Sequence, residues 1–120
     1  MNEMKTPYSG EWVGYFRDER ATPPHDQGWM QMYLEINEGQ IRGEGTDYVG
    51  PWKIAGVMDV AEGSVSWTKT YFGQHDVSYR GKLVEDSIRG IWKIDEDCGE
   101  FHVWPKYLAH LYESYLPNLK

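Results

Sequence analysis

Trp29-Met30-Gln31-Met32-Tyr33-Leu34-Glu35-Ile36-Asn37 is the stretch that decides the fold. Met30, Met32, Leu34 and Ile36 fall on one face, and Trp29, Gln31, Tyr33 and Glu35 on the other. That period of two belongs to a strand with one buried side. Asn37-Glu38-Gly39 then supplies a tight turn.

The same grammar extends in both directions. Strand-like runs are expected at 11–17, 29–37, 40–48, 52–59, 64–72, 75–84, 87–94 and 100–104, with glycines in or beside most of the turns between them. Every connection after the first is short enough for a hairpin, which argues sequential, up-and-down order. The expectation is an all-β, eight-stranded antiparallel barrel over about 10–104, in a single domain spanning 1–120. Pro105 is read as the first residue of a short C-terminal α-helix over about 105–116, because proline at that position gives up no hydrogen bond. Leu108, Leu111, Tyr112 and Tyr115 recur at helical spacing, so this helix flanks or plugs the barrel, or else forms a dimer contact.

Composition agrees. Aromatic residues make up 15% of the chain, and they suit pleated, half-buried surfaces. On the strand 40–48, Ile41, Gly43, Gly45 and Asp47 share a face, and two glycines there imply a bend or the close approach of something bulky, such as a tryptophan. Ile41-Arg42-Gly43 recurs as Ile88-Arg89-Gly90, read as one bending device used twice.

The net charge of −7 disfavours a nucleic-acid partner, since the basic residues lie among acidic ones, as in Arg17-Asp18-Glu19-Arg20. The single cysteine, Cys98, has no internal disulfide partner and sits in an acidic stretch. Met1–Lys5 lacks the apolar core of a signal peptide and no long apolar run follows, so the expectation is a soluble, cytoplasmic protein without a membrane partner. His25, His75, His102 and His110 have no metal-ligand spacing, and no catalytic motif is present; no metal, cofactor or catalytic residue is expected.

Gly10-Glu11-Trp12 at the start of the first strand resembles the Gly-x-Trp opening of the calycin superfamily: lipocalins, fatty-acid-binding proteins and avidin-like barrels. The resemblance implies a tryptophan sealing the barrel's base and a habit of binding small molecules in the lumen. The chain departs from each branch, and the arginine pair that fatty-acid-binding proteins use for a carboxylate has no counterpart that can be placed. Only Lys106 stands near the place of the lipocalin arginine, and Val13-Gly14-Tyr15 replaces the avidin-like asparagine.

The sharpest chemical feature is a polar set on faces that otherwise look inward. Alternation groups Val65, Trp67, Lys69 and Tyr71 on one strand and His75, Val77, Tyr79 and Gly81 on the next. Lys69, Tyr71, His75 and Tyr79 would crowd the mouth end of one hairpin, with Asp47 as counter-charge. Two readings stand: a self-satisfied core network, or a lumen with a few convergent polar groups among aromatic walls. A one-residue slip would instead put Lys69 in solvent. The leading functional expectation is a non-enzymatic barrel that binds a small apolar or aromatic ligand through Asp47, Trp67, Lys69, Tyr71, His75 and Tyr79. Met30, Met32 and Trp92 would complete the wall. The rival is an acidic protein-interaction or inhibitor module, or a homodimer, using the 18–28 loop, exposed Tyr15 and Trp29, and the C-terminal helix.

Overall fold

The computed structural model describes residues 8–23, 26–47 and 49–112. Eight strands follow one another: β1 (Gly10–Arg17), β2 (Gln27–Asn37), β3 (Gln40–Asp47), β4 (Gly50–Asp59), β5 (Ser64–Tyr71), β6 (Asp76–Val84), β7 (Ser87–Ile94) and β8 (Asp97–Pro105). Each pairs antiparallel with its sequence neighbour, and β1 closes on β8 through Trp12↔Pro105 to Phe16↔Phe101. The barrel is therefore closed and up-and-down, and none of these eight strands is left with an unpaired edge.

Alternation sets the lumen. Trp12, Leu34, Ile36, Ile41, Met58, Val65, Ile88 and Val103 fill the end where β1 begins, all buried. Trp12 donates its indole N–H to the Tyr8 carbonyl at 2.8 Å there, sealing the base. The opposite end, where β1 finishes, carries the 18–26 loop and the β3–β4, β5–β6 and β7–β8 turns.

Gly45 shows why β3 is glycine-bearing. A Cβ there would lie 2.7 Å from the Trp52 ring, so the glycine makes room for that indole. The repeated Ile-Arg-Gly triplets occupy β3 and β7, opposite each other in the ring of strands, each with a fully buried isoleucine.

The period of two fails on β1 and β8, and the C-terminal segment is the reason. Phe101, His102, Val103, Trp104 and Pro105 are all buried, because a 3-10 turn η1 (Lys106–Leu108) and helix α1 (Ala109–Tyr112) cover the outer wall. The Tyr112 ring stacks on Trp104 with centroids 5.3 Å apart, over a second cluster that includes Val13 and Tyr15.

Three sequence expectations are corrected here. Pro105 ends β8 with ψ 135° and caps the 3-10 turn; it is not the first helical residue. Leu111 is exposed, so the stripe packed on the barrel consists of half-buried Leu108 and Ala109 and buried Tyr112, while Tyr115 lies outside the described residues. Tyr15 is buried under the C-terminal segment and Trp29 is half-buried beside it, so neither is an open contact surface.

Candidate functional site

The site is built at the loop-bearing end. β5 turns Lys69 inward, and its side chain is 2% exposed. An isolated ammonium at that depth would be strongly disfavoured. Asp47, carried on the inward face of β3 with a fully buried side chain, meets it: Lys69 Nζ donates to Asp47 Oδ2 at 3.1 Å. The same oxygen accepts from the Tyr71 hydroxyl at 2.6 Å and from Trp52 Nε1 at 3.0 Å, while Oδ1 accepts from the Val49 amide at 2.9 Å. The carboxylate thus takes four donors, from the β3–β4 turn, β4 and β5.

The ammonium has less. Nζ lies 4.8 to 5.1 Å from the ring centroids of Phe16, Trp52, Tyr71 and Tyr79, a cage of π faces. Beyond Asp47, a further contact is the Met30 sulfur at 3.9 Å, at the outer limit of a weak hydrogen bond. Burial pushes the Lys69 pKa down to about 8, the nearby carboxylate opposing the shift. The Tyr79 hydroxyl also points at the Met30 sulfur at 3.9 Å, and burial holds its pKa well above the usual phenol value.

Above this cage lies a cavity of about 160 Å³, lined by Phe16, Lys69, Tyr71, Tyr79 and Trp92 among others, with Asp18, Arg20, Val49 and His75 at its rim. Arg20 roofs it. The guanidinium sits 5.2 Å from the Trp92 ring and grips both Asp18 oxygens at 2.8 Å and Asp97 at 3.0 Å. Those hydrogen bonds lower the Asp18 pKa and raise that of Arg20. The 18–26 loop is closed on itself by the Asp18 amide donating to the Asp26 carbonyl at 2.8 Å.

The sequence-derived set separates by depth. Lys69, Tyr71, Tyr79 and Trp92 line the cavity, and Asp47 lies behind Lys69. Trp67 sits one inward position deeper, stacked on Tyr79 at 5.4 Å and packed on Phe101. Met30 touches the cage through sulfur, and Met32 lies across from Trp12, toward the base. His75 precedes β6 in the turn and is exposed, its ring 5.2 Å from that of Tyr71. It stands at the rim, where the strand expected to begin at 75 in fact begins at 76. Sequence reasoning missed Arg20, Trp52 and Phe16. Asp18 and Arg20 two residues apart, with Asp97 in an acidic turn, were the signal available for the roof.

Elsewhere, His102 is buried on the outer wall against Ser87 Oγ at 3.0 Å, and His110 is exposed on α1. His25 lies outside the described residues. Cys98 is exposed on β8, opposite Lys93. Lys106 pairs with Glu11 at 3.5 Å on the surface.

No protein-family model, no curated protein and no solved structure matches this chain. Architecture therefore defines the class: a small, closed, up-and-down eight-stranded β-barrel with a sealed base and a roofed cavity at the other end, compatible with a calycin-like fold.

Proposed function

We propose that this chain is a calycin-like barrel that binds one small, neutral, largely aromatic molecule in the mouth cavity, held by a polar group on Lys69 and Tyr79. The carrying observation is the cavity itself, about 160 Å³ of space beside a caged ammonium, in a lumen otherwise packed with buried apolar side chains. An apolar cavity of about 150 Å³ takes benzene, so the space suits a ring with one or two substituents and not a fatty acid. Charge favours a neutral guest. Lys69 and Arg20 each already hold a carboxylate, and three carboxylates (Asp18, Asp47, Asp97) stand against these two cations. Among the described residues, an anion would meet a site with no cation to spare.

The test is a titration of tryptophan fluorescence with benzyl alcohol, on the wild-type protein and on Val77→Phe. Val77 is buried and lines the cavity, so the larger side chain fills the space from its wall. Saturable binding that the filled variant loses supports the reading. Binding that persists unchanged in Val77→Phe places the guest elsewhere and removes it.

A further inference from the structure

The Lys69 cage has a chemistry beyond holding a guest by hydrogen bonds. We propose that Lys69 captures a small aromatic aldehyde covalently, as a protonated imine facing Asp47, an inference that rests on the mouth cavity being the binding site.

Three observations converge on Nζ. It is surrounded by the rings of Phe16, Tyr71 and Tyr79, which themselves line the cavity, so the amine stands at the wall of the space a guest would fill. Among the described residues its charged partner is the Asp47 carboxylate, which also accepts from Tyr71, Trp52 and the Val49 amide. Burial lowers its pKa from 10.5 to about 8, so near neutral pH it holds a larger share of free amine than an ordinary lysine. Desolvated lysines with lowered pKa values are the ones that attack carbonyls.

The step balances without an outside reagent. The ammonium passes one proton to water at the mouth, and the freed amine attacks the aldehyde carbon, forming a C–N bond and a carbinolamine. Return of that proton from water to the carbinolamine hydroxyl lets the oxygen leave as water while the C=N bond forms. The sum is aldehyde plus ammonium giving iminium plus water, with no change of charge and no electron transfer. The iminium N–H keeps its positive charge opposite Asp47 Oδ2, so capture does not leave the buried carboxylate unpaired. The aromatic cage keeps water from the C=N bond, which slows its hydrolysis. Among the described residues, the other lysines (Lys53, Lys82, Lys93 and Lys106) are exposed and have no such shelter.

The experiment is incubation of the full chain with benzaldehyde at neutral pH, reduction with cyanoborohydride, and peptide mapping by mass spectrometry. Benzyl alcohol, which fits the same space and cannot form an imine, serves as competitor and as the non-covalent probe. The expected result is a benzyl group on Lys69 at about tenfold the level on Lys53, suppressed by excess benzyl alcohol. Val77→Phe, with the lysine intact, should lose the preference, and Lys69→Arg should carry no label at that position. If benzyl alcohol binds but Lys69 is labelled no more than Lys53, covalent capture is overturned and the cavity reading survives. If benzyl alcohol does not bind and Lys69 shows no preference, both fall together.

Discussion

Lys69 Nζ and Asp47 Oδ2, on strands that are not neighbours in the barrel, lie 3.1 Å apart with both side chains shut away from solvent. The pair ties β3 to β5 across the inside of the barrel, past the β4 strand that carries Trp52 into the same knot. Breaking a buried pair leaves one charge uncompensated and costs about 3–5 kcal/mol. Lys69→Met and Asp47→Asn are each expected to lose stability in that range by urea denaturation. Asp47→Ala should lose more than Lys69→Met, because Trp52 and Tyr71 lose their acceptor with it. The double variant Lys69→Met/Asp47→Asn should recover part of the loss, since no lone charge remains.

Gly45 is expected to be intolerant of any side chain. Gly45→Ala puts a Cβ against the Gln31 carbonyl and the Trp52 ring, and overpacking of this kind costs about 1–3 kcal/mol. A displaced Trp52 also leaves its hydrogen bond to Asp47. Thermal unfolding measures the loss, and near-UV circular dichroism reports the shift of the indole.

Strand order and most inward faces were legible in the sequence, because β2, β4 and β5 alternate without interruption once one side is buried. The alternation of β5 and β6 was enough to put Lys69 and Tyr79 on the same face as Trp67. What was not legible lies where alternation says nothing. Tyr15 reads as outward, and it is; its burial comes from a C-terminal segment whose docking no strand period encodes. Arg20 reads as one charge in a mixed run, and its place over Trp92 depends on a loop closing through Asp18 and Asp26. Phe16 and Trp52 have the pattern of ordinary core residues, and only closure of the barrel brings both rings within about 5 Å of one ammonium.

Acid should loosen the wall that the C-terminal segment covers. Burial, with Arg89 adding its charge, pushes the His102 pKa down to about 4. An unfolded chain protonates the same imidazole near 6.5. Between these values the unfolded chain binds the extra proton, so stability falls as pH drops through the window, by about 3 kcal/mol in all. His102→Gln should flatten that slope between pH 6.5 and 4.5, measured as the urea midpoint at each pH.

Arg20 is expected to matter for access and for stability. Its own side chain is 45% exposed, but the Asp18 carboxylate that it grips through both oxygens is only 12% exposed, so losing the guanidinium leaves a largely buried charge without its partner. Arg20→Ala should lower the melting temperature while the association rate of benzyl alcohol rises, as read by stopped-flow fluorescence. A slower association would mean the guanidinium takes part in binding and does not merely roof the cavity.

The tryptophan indole N–H signals provide the most direct measurement. Trp92 lines the cavity and Trp52 abuts Lys69, whereas Trp12 seals the base and Trp104 lies on the outer wall. In a two-dimensional nitrogen–proton spectrum titrated with benzyl alcohol, the Trp92 and Trp52 signals are predicted to move saturably while those of Trp12 and Trp104 stay in place. No movement at Trp92, or movement at Trp12 or Trp104 instead, would contradict a binding site at the mouth of the barrel.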